Sequence, residues 1–100
     1  MLNQVILVGR ITQDLEVKEL DDDKKKAIMT LAIPRSTKNE EGEYETDFVP
    51  CVLYNNVATN TAEYCKKGDI VGVKGRIESE PNRMIILAEK VTFLSSHSNN

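Results

Sequence analysis

Alternation of apolar and polar residues predicts strands along most of this 100-residue chain. The clearest case has apolar side chains at every second position: Ala27, Met29, Leu31 and Ile33. A period of two is that of a strand with one buried face. The β-branched run Val5–Ile11 is interrupted by Gly9, which is typical of the bent strands of small barrels. We predict strands over Val5–Ile11 and Ala27–Ile33, the second ending at Pro34.

Turns and hairpins are predicted on either side of the strand 27–33. Leu15–Leu20 either continues the first strand or begins a hairpin, and the DDDKKK run at Asp21–Lys26 is expected to be a solvated turn. Arg35–Tyr44 is polar and predicts a long hairpin connection. Glu45–Tyr54 is the next predicted strand. Because proline has no N–H to donate, Pro50 implies an edge position or a bulge.

One helix is predicted, over Asn55–Lys67. Either asparagine at its start can cap it, and a narrow stripe lies at helical spacing: Ala58, Thr61, Ala62 and Cys65. Lys66 and Lys67 fall in its last turn, where cations favour the helix dipole. Gly68 can take the left-handed conformation that closes a helix.

Two final strands, Asp69–Ile77 and Arg83–Leu94, are separated by a short turn at Pro81 and Asn82. Three strands, one short helix and two strands are the element order of an all-β protein with a five-stranded Greek-key barrel, the OB-fold. We predict one such domain over residues 1–94 and a polar, disordered tail over 95–100.

The composition excludes several classes of function. No stretch approaches the roughly 20 apolar residues of a membrane span, and the N-terminus does not resemble a signal peptide, so we expect a cytoplasmic protein with no membrane partner. Cys51 and Cys65 are too far apart for a CxxC motif, and His97 lies in the tail. We therefore expect packed cysteines, no metal and no cofactor. No nucleophile–base pair or phosphate loop indicates an enzyme.

Aromatic and basic residues on the later strands indicate a binding surface. Phe48 and Tyr54 are six residues apart, so both rings lie on one strand face, and Lys74 and Arg76 share a face of the following strand. Rings for stacking and cations for phosphates are what a single-stranded nucleic-acid platform needs. The net charge of −3 argues mildly against nucleic acid.

Two stretches, NQVILVGRITQDLEVK (3–18) and TLAIPRSTKNEEGEYETDFVPCVLYNNVATNTAEYCKKGDIVGVKGRIES (30–79), resemble the bacterial single-stranded DNA-binding proteins. The resemblance extends over nearly the whole chain. It implies an OB-fold, a homotetramer (with a dimer as the alternative), and non-sequence-specific coating of single-stranded DNA in replication, recombination, repair or DNA uptake. Replication or repair proteins are implied as further partners.

The resemblance also implies roles for individual residues. Phe48 and Tyr54 match base-stacking positions, Lys18 matches a basic position near the first hairpin, and Lys66 and Lys67 match a basic pair at the end of the helix. Further candidates for nucleic-acid contact come from the residues themselves: Arg10, Arg35, Lys38 and Tyr44.

Departures from the family pattern predict weaker binding than is usual for it. Thr37 replaces an aromatic residue, the last hairpin is shortened to Glu80–Asn82, Glu78 and Glu80 stand where cations are common, and Pro50 stands where a polar or basic residue is usual. The family's acidic tail is missing from the ending SSHSNN. This is expected either of a short accessory or mobile-element member or of a truncated chain.

The same departures, with the net acidity, support a second interpretation. In it the chain is an OB-fold protein-interaction module of a replication-restart complex, similar to primosomal replication protein N, and binds nucleic acid only weakly. An RNA-binding OB module is a third and weaker interpretation, because nothing in the sequence indicates recognition of a 2′-hydroxyl.

Overall fold

The computed structural model describes residues 1–96. The elements are β1 (Val5–Ile11), β2 (Lys18–Glu19), β3 (Lys25–Lys38), β4 (Tyr44–Tyr54), α1 (Asn55–Tyr64), β5 (Ile70–Glu80) and β6 (Arg83–Ser95). Ser95 of the predicted tail therefore belongs to β6, and residues 97–100 lie outside the described part of the chain. No helix within residues 1–96 is long and apolar enough to cross a membrane.

The strands form one sheet in the order β1-β5-β6-β4-β3-β2, and pairing of β1 with β3 closes the five long strands into a barrel. The pairs are antiparallel except β4 with β6, which is parallel at Cys51 and Val52. The two-residue β2 pairs with the start of β3 and completes the predicted first hairpin. The prediction of a five-stranded OB-fold barrel is confirmed.

The core is formed by the strand faces that the alternation predicts. It contains Ile11, Ala27, Met29, Leu31, Cys51, Leu53, Val71, Val73, Ile86 and Ala88, with Ala58 and Cys65 from α1 and the residue that follows it. Gly9 lies where β1 leaves β5 for β3. A Cβ there would come within 2.8 Å of Ile33 Cγ1, so the close approach requires glycine. Both cysteines are free and buried.

Pro50 occupies a position where its missing N–H costs little. It lies opposite Thr30 in the β3–β4 ladder, and the Thr30 carbonyl accepts from Thr12 N–H on the other side of β3. The pair Thr30–Pro50 therefore belongs to the positions without mutual hydrogen bonds. Pairing of β4 with β6 is found at Cys51 and Val52, just after the proline.

The predicted end of β3 and the predicted long connection after it are wrong. β3 does not end at Pro34 but continues to Lys38, and between these residues it advances four positions while β4 advances two. The register shift accommodates the proline within the ladder. The connection is consequently short, and Asn39 organises it by accepting the N–H groups of Glu41 and Glu43 on its side-chain oxygen.

The predicted end and caps of the helix are also wrong. α1 ends at Tyr64, and its N-terminal cap is Tyr54, without a side-chain hydrogen bond. Asn55 instead accepts from Lys25 N–H and so ties the helix start to β3. Lys66 and Lys67 lie beyond the last turn, because the Asp69 carboxylate accepts Lys66 N–H in a separate turn. Gly68 has the expected positive φ, 93°, but in that turn.

Candidate nucleic-acid interface

Three aromatic rings project from the same side of β4. Tyr44, Phe48 and Tyr54 lie at even spacings along the strand, so alternation places them opposite the core residues Cys51 and Leu53. Their exposed fractions are 58%, 65% and 40%. At about 3.4 Å per residue the three rings span roughly 34 Å. We call the outer side of β3 and β4 that carries these rings and their cross-strand partners the aromatic face.

The middle of the aromatic face, around Phe48, is open and borders two basic residues. Phe48 lies opposite Ala32 of β3, which in turn lies opposite Arg10 of β1. The small alanine leaves the phenyl ring accessible. Arg10 Nη1 donates to the Gly68 carbonyl at 2.7 Å, and Arg10, Ala32 and Lys67 line a cleft of about 360 Å³. The structure thus brings the predicted cations Arg10 and Lys67 to the part of the aromatic face around Phe48.

The two tyrosines each have a lysine as cross-strand partner. Lys26 lies opposite Tyr54, with Nζ 6.0 Å from the ring centroid, and Lys38 lies opposite Tyr44, at 5.6 Å. Lys18 of β2 lies opposite Lys26 and continues that row. Lys26 was missed by the sequence reasoning. No sequence signal could have found it, because the β3–β4 register decides which residue faces Tyr54.

A larger cleft of about 590 Å³ adjoins the Tyr54 end. It separates the segment 12–20 from β3 and is lined by apolar, basic and acidic side chains, including Ile28, Lys18, Lys26, Asp14 and Glu16. The mixed charge makes this cleft less favourable to phosphates than the open strand face.

Arg35 is held away from the rings. Its guanidinium donates to both carboxylate oxygens of Asp47, at 2.9–3.2 Å, and to Glu45 at 3.1 Å. These acids alternate with Tyr44 and Phe48 along β4, so Arg35 lies on the opposite side of the strand. The hydrogen bond from Arg35 lowers the pKa of Asp47, and the same contact raises the pKa of Arg35.

Lys74 and Arg76 both point outward from β5 but are not beside the rings, since β6 separates β5 from β4. Arg76 forms ion pairs with Glu78 at 3.0 Å and Glu89 at 3.1 Å. Lys74 lies opposite Ile6 of β1 and Lys90 of β6. The remaining candidate, Lys66, is exposed in the turn after α1.

Comparison with known proteins identifies the family of this chain. The model of the single-strand binding protein family matches residues 2–84. Single-stranded DNA-binding protein B of Bacillus subtilis is 49% identical over 79% of this chain and 70% of its own length. The single-stranded DNA-binding protein of Halalkalibacterium halodurans is 42% identical over 94% and 61%, and single-stranded DNA-binding protein 3 of Listeria innocua is 40% identical over 99% and 68%. The chain thus spans about two thirds of the length of these curated relatives.

A solved structure has the same fold. The crystal structure of a deletion variant of the single-stranded DNA binding protein from Thermus aquaticus superposes with a TM-score of 0.76 at 21% identity, covering 94% of this chain and 51% of that one. At this identity the likeness concerns the fold alone. Because the family model covers residues 2–84 and the three relatives are 40–49% identical over 79–99% of the chain, the chain belongs to the single-strand binding protein family.

Proposed function

We propose that this chain binds single-stranded DNA without sequence preference, using the aromatic face as its stacking platform. The observation that carries the proposal is the alignment of three exposed rings, Tyr44, Phe48 and Tyr54, on one side of one strand. Rings stack with any base, so such a row favours single strands over duplexes and tolerates all sequences. The family membership supports the same function.

Phosphate contacts are proposed for the cations that border the rings. Four of the predicted cations border the rings. Lys18 and Lys38 do so through strand register. Arg10 and Lys67 line a cleft with Ala32, the cross-strand partner of Phe48. Arg35 and Arg76 already contact two carboxylates each, so phosphates must compete with these acids. For these two arginines, and for Lys66 and Lys74, a phosphate contact remains a prediction. It requires the bound DNA strand to continue around the barrel beyond the aromatic face.

The test is fluorescence anisotropy of a labelled dT oligonucleotide, with unlabelled duplex as competitor, at two salt concentrations. Phe48→Ala should weaken binding by about 5- to 150-fold, since one stacked base is worth roughly 1–3 kcal/mol. The matched control is Tyr64→Ala, which removes a ring of similar exposure, 69%, from the end of α1. Equal binding by both variants, or no binding by the wild-type chain at tens of micromolar, would contradict the proposal.

We also propose that the chain forms a homo-oligomer, a tetramer as the family resemblance implies, with a dimer as the alternative. Val5–Val8 pair with β5 along one edge, and no strand within residues 1–96 pairs with their other edge. An open strand edge is a template for another chain. Ile6 and Val8 also expose 71% and 54% of their surface, next to the half-exposed Leu94. Sedimentation equilibrium should give an oligomer that Ile6→Lys dissociates; a wild-type monomer at micromolar concentration would refute this.

The alternative of a protein-interaction module with weak nucleic-acid binding is not favoured, because the match to the single-strand binding protein family extends through the whole aromatic face. Replication or repair proteins as further partners, and a cytoplasmic, nucleoid-associated location, belong to the proposal. Proteins that still co-purify with the chain in a pull-down after nuclease treatment would show that the chain also binds protein directly.

A further inference from the structure

β3 presents a lysine opposite each tyrosine at the two ends of the aromatic face. The pairs Lys26–Tyr54 and Lys38–Tyr44 are direct cross-strand partners, and each ammonium lies about 6 Å from its ring centroid. Within residues 1–96 neither lysine forms an ion pair, whereas Arg35 and Arg76 each form two. Lys26 and Lys38 are therefore cations beside a ring that no carboxylate of the described residues neutralises.

We infer that Lys26 is a phosphate-contacting residue whose action is coupled to base stacking on Tyr54. In the free protein its ammonium group lies over the ring, where an incoming base would stack. A cation over an exposed ring is held only weakly, so a base can displace it, and the ammonium then pairs with a neighbouring phosphate of the bound strand. The inference rests on the proposed function and adds to it a residue from the DDDKKK run that the sequence reasoning assigned to a solvated turn.

The surroundings of Lys26 favour this exchange. Lys26 is half-buried, and a lysine in such a position can bury its methylene stem while its ammonium stays in water. Lys18 lies opposite Lys26 on the side away from Tyr54, which gives the row two cations and one ring. A phosphate beside Tyr54 would therefore meet two positive charges, whereas the adjoining cleft, which both lysines also line, presents Asp14 and Glu16 as well.

The test compares the salt dependence of dT-oligonucleotide binding in Lys26→Met and Lys24→Met. Methionine keeps an unbranched side chain, one heavy atom shorter, and removes the charge. Lys24 is the matched control, because it belongs to the same run but precedes β3 and has no ring partner in the described residues. Loss of one phosphate contact should reduce the steepness of the plot of log K against log salt concentration by about 0.7. The loss of affinity relative to wild type should therefore be about fivefold greater at 0.1 M salt than at 1 M salt. Lys24→Met should keep the wild-type slope.

A second measurement reports on the ring itself. In the NMR spectrum of the free protein, ring current should shift the Lys26 side-chain methylene protons upfield, and saturating dT oligonucleotide should remove this shift. Lys26→Gln provides a second neutral variant if Lys26→Met does not fold. Equal slope losses in the Lys24 and Lys26 variants, an unchanged slope in the Lys26 variant, or an upfield shift that persists in the complex would each overturn the inference.

Failure of this inference and failure of the proposed function give different results. If Phe48→Ala weakens binding while Lys26→Met keeps the wild-type slope, the aromatic face stands and the coupling of Lys26 to Tyr54 is wrong. If the wild-type chain does not bind, or Phe48→Ala binds like wild type, the aromatic face itself is wrong, and the inference falls with it.

Discussion

Gly75 lies where β5 passes so close to β6 that a methyl group has no room. It is buried and follows the register shift between Lys74 and Gly75 in the β5–β6 ladder. A Cβ at this position would overlap the carbonyl oxygen of Leu87 and lie 3.2 Å from the Cα of Ala88. Because these are backbone atoms, no change of rotamer can relieve the overlap, and the two strands would have to separate.

Gly75→Ala should therefore lower the free energy of unfolding by the upper part of the roughly 1–3 kcal/mol that overpacking costs. In a domain of this size such a loss lowers the melting temperature by roughly 10–20 °C. The control is Gly72→Ala on the same strand, where a Cβ would lie 3.6 Å from Leu94 Cδ1 and 3.8 Å from the Leu7 carbonyl oxygen, which are ordinary contacts. This variant should be neutral or gain about 0.4–1 kcal/mol from reduced freedom of the unfolded chain.

Thermal and urea unfolding followed by circular dichroism would measure both variants. All samples should have the same protein concentration, because oligomerisation makes the apparent stability depend on it. A melting temperature of Gly75→Ala within about 2 °C of wild type, corresponding to roughly 0.5 kcal/mol or less, would show that the ladder can separate freely at this point and that the steric reasoning is wrong.

Three further predictions concern ionisation and affinity. Burial raises the pKa of the Cys51 thiol to about 11, so the stability that its neutral form contributes is present below the ordinary value of 9.0 and is lost as pH rises towards 11. Over this range the urea midpoint of Cys51→Ala should fall less than that of wild type; parallel plots of midpoint against pH would contradict this. The Arg35 hydrogen bond lowers the pKa of Asp47, so the pair stabilises the fold above the ordinary carboxyl value of 3.8 and ceases to do so as pH falls through the lower folded value. Asp47→Asn should therefore be less stable than wild type at pH 7, and the difference in stability should shrink as pH falls below 3.8; a difference that does not change with pH would contradict this. The family resemblance implies two missing aromatic positions, at Thr37 and in the short last hairpin. Their loss should cost roughly 2–6 kcal/mol of binding energy if nothing replaces them; a dissociation constant in the family's usual tight range at moderate salt would contradict this.

The strand positions were predictable because alternation is a local property. The core faces of β3 and β4 follow directly from the positions of Met29, Leu31, Cys51 and Leu53. The same alternation placed Phe48 and Tyr54 together on the outer side, as the structure confirms. Periodicity therefore predicted the ring-bearing strand of the aromatic face before any three-dimensional information was used.

Cross-strand partners were not predictable, because they depend on register. Lys26 could be assigned to Tyr54, and Arg35 to Asp47, only once the pairing of β3 with β4 was known. The boundaries failed where tertiary contacts outweigh local preference. The helix ends at Tyr64, earlier in the chain than predicted, because Lys66 N–H donates to the Asp69 carboxylate in a separate turn. This leaves Lys66 and Lys67 outside the helix.

The pairing of β1 also sets the order in which the barrel can form. Val5–Arg10 pair with Ile70–Gly75, about 65 positions later in the chain. Closing so long a loop loses chain entropy before the contacts between the two strands can form. Folding is therefore slow, in the millisecond-to-second range for such topologies. At roughly 5–20 residues per second of synthesis, β1 waits several seconds for its main partner. The first strand to be made is thus among the last to dock, and throughout that interval its apolar side chains and both of its edges are available to other chains.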